Sequence, residues 1–262
     1  MRRIVFNQKG GVGKTSISCN LAAVSAACGL KTLIVDLDIQ GNATHYLIGN
    51  VDKASYPSQS QGVAALFKHS VGRRQAAISA DHFVWETPYE NLYLMPASIE
   101  LEAMERDLEA RYKIFKLRDA LDELREVYDR VYIDTSPNFN FYTKSALIAA
   151  DRLLIPFDCD SFARQSLLTL MENIEELRED HNPGLSVEGI IINQFSSRAR
   201  LPQAMIDQLK TDGFKLLDAF LSSSIKMKES HHLHRPLIDF APSHKLTQEF
   251  LALYGHIKRQ KI

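Results

Sequence analysis

Cysteine is scarce in this chain of 262 residues: Cys19, Cys28 and Cys159 stand apart, with no CxxC spacing between any two. That excludes a disulfide-stapled scaffold and argues against a cysteine-built metal site. Long apolar runs are also missing, and none approaches the ~20 residues a membrane-spanning helix needs. The start, Met1-Arg2-Arg3-Ile4-Val5-Phe6, meets a glycine-rich turn too soon for a secretory leader. A cytoplasmic protein is the expectation. With 45% apolar and 24% charged residues, the chain has the composition of a folded globular protein, not a disordered or collagen-like one. Net charge is only −1, but it is unevenly spread. Residues 1–185 hold 20 Lys and Arg against 25 Asp and Glu, whereas residues 186–262 hold 11 against 7 and five of the nine histidines. A mildly basic C-terminal third suits a solvated surface of mixed charge or a face turned to an anionic polymer.

What is present is a regular alternation. Apolar runs of strand length recur at Ile4-Val5-Phe6, Thr32–Val35, Leu92–Met95, Arg130–Ile133, Leu153–Pro156 and Gly189–Ile192. Helical patterns over 14–28, 99–127, 140–149, 161–180, 199–211 and 244–258 separate or follow them. Strands apolar on both faces, each followed by a helix, predict an α/β fold: a mostly parallel, twisted sheet covered on both sides. Phe220-Leu221 and Leu237-Ile238 are candidates for further strands, and 50–62 reads as a long surface loop. No repeat or linker divides the chain, so one domain over 1–262 is expected.

The strongest signal follows the first strand: Lys9-Gly10-Gly11-Val12-Gly13-Lys14-Thr15, with Ser16 next. A strand, a glycine-rich turn and a helix start make a nest of inward-facing N–H groups with partial positive charge, which suits phosphate. Lys14 would reach the β- and γ-phosphates, and the Thr15 hydroxyl would hold Mg²⁺. The general GxxxxGK[ST] pattern is not met, because Gln8 stands where its first glycine would be.

The variant present, with a lysine opening the loop, resembles the deviant Walker A motif of the ParA/MinD group of P-loop ATPases. Three further stretches add to the likeness. Asp36-Leu37-Asp38-Ile39-Gln40-Gly41-Asn42-Ala43-Thr44 is similar to the family's DxDPQGNAT segment, with Ile39 in place of proline. Val131-Tyr132-Ile133-Asp134-Thr135-Ser136-Pro137 is similar to its Walker B segment, and Ala149–Pro156 to another family stretch. The resemblance covers nearly the whole chain, most weakly at 50–90. It is closest to small ParA or Soj-like members that lack an N-terminal helix-turn-helix module.

The resemblance implies ATP and Mg²⁺ as cofactors and a hydrolase that is slow until a partner protein stimulates it. Residues Lys9 to Ser16 would bind nucleotide, with Thr15, Asp38 and Asp134 as the metal set. Asp38 would also position the attacking water, and Asp36 would support the metal or Lys14. Lys9 would reach across a two-fold interface to the partner's ATP, making a nucleotide sandwich homodimer. Asn193 stands either as an adenine-recognising side chain or as a plain turn former. Non-specific duplex DNA would meet Arg198, Arg200, Lys226, Lys228 and Arg235, as point charges on phosphate. The implied role is partition or positioning of DNA or a protein cargo on the nucleoid, with a ParB-like or adaptor partner and no stable membrane insertion. Two alternatives stay open: a MinD-like membrane-associated regulator, and an ATP-dependent small-molecule ligase on the same fold. The apolar stripe Leu246, Phe250, Leu253, Tyr254 and Ile257 is expected to dock on the sheet. His231-His232-Leu233-His234 reads poorly as a metal site and better as a pH-sensitive addition to the basic face.

Overall fold

Strands buried along their whole length are stable only where both faces of the sheet are covered. The computed structural model, which describes residues 1–49, 60–69, 78–159, 163–195 and 200–259, has that arrangement. Among the described residues the strands are β1 (Arg2–Val5), β2 (Thr32–Asp36), β3 (Trp85–Glu86), β4 (Leu92–Met95), β5 (Arg130–Asp134), β6 (Arg152–Asp158), β7 (Ser186–Phe195) and β8 (Leu216–Ser222). They form one sheet in the order β3-β4-β2-β5-β1-β6-β7-β8. Only the β3–β4 pairing is antiparallel.

The helices are α1 (Lys14–Ala27), α2 (Asn42–Ile48), α3 (Gly62–His69), α4 (Glu100–Ala110), α5 (Lys116–Glu123), α6 (Phe141–Ala149), α7 (Ala163–His181), α8 (Arg200–Thr211), α9 (Ile225–His232), α10 (Leu237–Phe240) and α11 (Lys245–Arg259). Alternation along the strands assigns two cores. Val5, Ile34, Tyr132, Leu154 and Ile191 face α1, α2, α10 and α11. Ile4, Leu33, Ile133, Leu153 and Ile192 face α3 to α8.

The stripe Leu246, Phe250, Leu253, Tyr254 and Ile257 of α11 is buried, as expected. Arg3 adds a polar stitch. Its guanidinium donates to both Glu188 carboxylate oxygens at 2.7 and 2.9 Å and to the Ile257 carbonyl at 2.9 Å, joining β1, β7 and α11. No helix among the described residues is long and apolar enough to cross a membrane.

Two readings of the sequence need correction. The pattern over 99–127 is not one helix but α4, a 3-10 turn at Lys113–Phe115 and α5, with Tyr112 left-handed at φ 55° between them. Leu108 and Leu117 are both buried, yet nine residues at ~100° each leave them half a turn out of phase. The break restores a common face. Leu237-Ile238 is the start of α10, not a strand, because Pro236 precedes it and the Leu237 N–H donates to Asn20 Oδ1 at 2.8 Å. Of the expected loop 50–62, residues 50–59 lie outside the described residues; Gly62 opens α3.

Candidate nucleotide site

Parallel strands deliver their following loops to one edge of the sheet, where open α/β folds hold ligands. Register brings three strand ends together: Asp134 of β5 pairs with Val5 of β1 on one side and Asp36 of β2 on the other. The loops after β1, β2 and β5 therefore share the walls of a cleft of about 810 Å³. Gly10, Gly13, Lys14, Thr15, Asp38 and Thr135 are among its lining residues.

The loop after β1 is wound by glycine. Gly11 and Gly13 have φ of 76° and 90°, a region that side chains rarely adopt. A Cβ at Gly10 or Gly11 would meet no protein atom within 4 Å, so the ground before the loop is open; one at Gly13 would strike Asn193 Nδ2 at 2.2 Å. Lys14 is buried and donates from Nζ to the Lys9 carbonyl at 3.0 Å. Burial lowers its pKa, offset in part by Asp134 and Asp38.

Asp134 is fully buried. Ser18 donates to its Oδ1 at 3.0 Å, while Oδ2 has no hydrogen-bond partner. Burial and then the charge of Asp36 push its pKa up to about 8, tempered by the Thr15 and Ser18 hydroxyls. An orphaned carboxylate oxygen this deep, beside a threonine hydroxyl at a phosphate-type loop, has the chemistry to face a hydrated divalent cation. No group of three or more His, Cys, Asp or Glu side chains among the described residues could cage a metal unaided. The donor set thus fits an ion completed by phosphate oxygens and water, as Mg²⁺ prefers.

Asp36 has a different task. The Thr44 N–H and hydroxyl both donate to its Oδ2 at 2.8 Å, and the Asp38 N–H donates to Oδ1 at 3.1 Å. Burial raises its pKa, against those hydrogen bonds. It ties the turn carrying Asp38 to the first turn of α2. Asp38 lines the cleft itself and accepts from the Gln40 N–H at 3.0 Å.

Asn193 donates from Nδ2 to the Val12 carbonyl at 2.9 Å, and Gln194 from Nε2 to the Gly11 carbonyl at 3.0 Å. Both sit at the end of β7 and brace the loop from outside, and both line a smaller cavity of about 210 Å³ with Ser224 and Lys228. Gln194, Ser18 and Thr44 escaped sequence reading. Ser18 had a signal, one helical turn after Lys14 on the same face, and Thr44 closes the Asp36–Thr44 segment, whereas Gln194 had none.

The basic residues are less uniform than their count implies. Arg198 lies outside the described residues, and Arg200 opens α8 with its side chain outside them too. Lys226 is paired with Glu229 at 2.6 Å and Arg235 with Asp239 at 2.6 Å, whereas Lys228 is exposed. His231, His232 and His234 line the same cleft as Lys14 and Asp38.

Comparison with known proteins agrees with this geometry. A family profile described as an AAA domain matches residues 1–187. The chromosome partitioning protein ParA of Myxococcus xanthus is 31% identical over 257 residues, covering 95% of this chain and 84% of that protein. A plasmid partition protein from Borrelia burgdorferi, solved with AMPPNP, superposes with a TM-score of 0.80 at 23% identity, covering 100% and 99% of the two chains. Cobyrinic acid a,c-diamide synthase of Mycobacterium smegmatis, solved with an ATP analogue and magnesium, gives 0.74 at 25% identity, covering 89% and 92%.

Proposed function

The chain belongs to the ParA/MinD-type P-loop ATPases, and from that premise we propose that it is a partition or positioning ATPase switched by its nucleotide. ATP with Mg²⁺ binds at the loop Lys9–Ser16, joins two copies, and creates a composite surface that holds duplex DNA without regard to sequence. Hydrolysis, slow until a partner protein accelerates it, releases both. The convergence of a buried Lys14, the cleft-lining Asp38 and the half-satisfied Asp134 on one loop is the observation that carries this reading.

The residues divide the work. Lys14 and the loop N–H groups hold phosphate charge, and Thr15 with Asp134 orients the hydrated cation, which supplies further charge neutralisation. Asp38 orients the attacking water, held at the right depth by Asp36. Asn193 and Gln194 keep the loop carbonyls turned outward so that its N–H groups face in. Lys9 crosses to the partner copy's phosphates, which makes ATP part of the interface. The burial of the α11 stripe argues against the membrane-associated alternative. The test is mass by light scattering together with phosphate release, with ATP and Mg²⁺. Doubling of mass with ATP but not ADP, lost in Lys14→Ala and Lys9→Ala, is expected. Rapid turnover by a monomer would instead favour an ATP-dependent ligase.

A further inference from the structure

The histidines at the end of α9 have no metal site to serve among the described residues, yet His231 is held more firmly than a surface imidazole. Its Nε2 lies 2.9 Å from Ser16 Oγ. Its ring stacks on Tyr46, with centroids 4.2 Å apart and planes 3° from parallel. Tyr46 is fixed in turn, its hydroxyl bonded to Ser230 Oγ and accepting from Asn20 Nδ2 at 3.2 Å. Asn20 also donates to the Ser16 carbonyl at 2.8 Å and accepts from the Leu237 N–H. Ser16 is thus gripped twice, through its carbonyl by Asn20 and through its hydroxyl by His231.

That grip matters because of where Ser16 stands. It lies in the first turn of α1, where backbone N–H groups lack helical acceptors and favour an anion. Lys14 and Thr15 serve the outer phosphates, so the next residue faces the inner part of the phosphate chain, common to ATP and ADP. A serine hydroxyl has a single proton. If the imidazole accepts that proton, none is left for phosphate. If the imidazole donates from Nε2, the serine proton is free to turn toward the nucleotide. Burial, with a smaller contribution from His234, holds the His231 pKa below its usual value, so one ring nitrogen is a donor and the other an acceptor at neutral pH.

We propose that His231 is a positioning residue for the nucleotide: its Nε2–H donates to Ser16 Oγ and directs the serine proton onto a phosphate oxygen shared by ATP and ADP. This rests on the reading of the loop as an ATP site. The contribution is to binding more than to chemistry, and it passes entirely through Ser16.

The experiment titrates ATP and ADP into the wild type, His231→Phe, His231→Gln, Ser16→Ala and the Ser16→Ala/His231→Phe double variant, with KM, kcat and melting temperature for each. Phenylalanine keeps the stack on Tyr46 and removes the ring nitrogens; glutamine returns an amide donor at similar reach. His231→Phe should weaken both nucleotides about three- to tenfold, the scale of one hydrogen bond, raising KM more than it lowers kcat. His231→Gln should recover most of the loss. In the Ser16→Ala background, His231→Phe should add nothing. Additive losses, or a fall in melting temperature and affinity alike in both backgrounds, would overturn the proposal, as would unchanged affinity in His231→Phe. If the wild type binds neither ATP nor ADP, the ATP-site reading itself fails, a result distinct from those.

Discussion

Asp134 is caught between two demands, and its behaviour with pH separates them. Without a cation its carboxylate is buried beside Asp36 with one oxygen unpartnered, so its folded pKa lies well above that of the unfolded chain. Well below pH 4 it is protonated in both states and costs nothing. As pH rises the unfolded chain ionises first, and stability falls until the folded group also ionises near 8. Asp134→Asn should therefore match the wild type in melting temperature at about pH 3, exceed it increasingly up to pH 8, and lose ATP hydrolysis throughout. Thermal melts of nucleotide-free protein across that range check the sign. The motif residues were legible because phosphate binding dictates their types and spacing. Asn193 read as an adenine-recognising side chain or a turn former, and its bracing of the loop was not readable, since a hydrogen bond to the Val12 carbonyl depends on how β7 is laid beside the loop.

At the scale of elements, Arg3 and Glu188 hold α11 against the sheet through a pair buried on both sides. Removing one partner strands a buried charge and should cost about 3–5 kcal/mol, while replacing both with apolar residues should recover most of that. Urea unfolding of Arg3→Met, Glu188→Met and the double variant tests this; equal, additive losses would contradict it. Strands β1, β2 and β4 to β7 were readable because burial on both faces writes an unbroken apolar run, whereas β3 is only two residues long and the alternating β8 showed only at Phe220-Leu221. The break between α4 and α5 was encoded only as a phase slip between Leu108 and Leu117, with no glycine or proline to mark it. α9 carried a readable start in Ser224, whose side chain accepts from the Lys226 N–H, but too little apolar pattern to stand out. α2 follows the left-handed Gly41 within the motif that carries Asp36 and Asp38, and its seven residues are too few to write a helical stripe.

For the whole molecule, the proposed switch has nucleotide decide whether DNA is held. Of the five candidate cations in one copy, Lys226 and Arg235 are already engaged with Glu229 and Asp239, so the proposed DNA surface calls on a second copy to gather enough charge. Lys228→Ala should accordingly weaken DNA binding more than Lys226→Ala, and should flatten the salt dependence by about one phosphate contact per copy. The most direct measurement is binding to random-sequence duplex DNA with ATP, with ADP and without nucleotide, across a salt series, alongside Lys14→Ala. Steeply salt-dependent binding with ATP alone, abolished by Lys14→Ala, is expected. Binding that ignores nucleotide, or its absence in every state even at low salt, would contradict it.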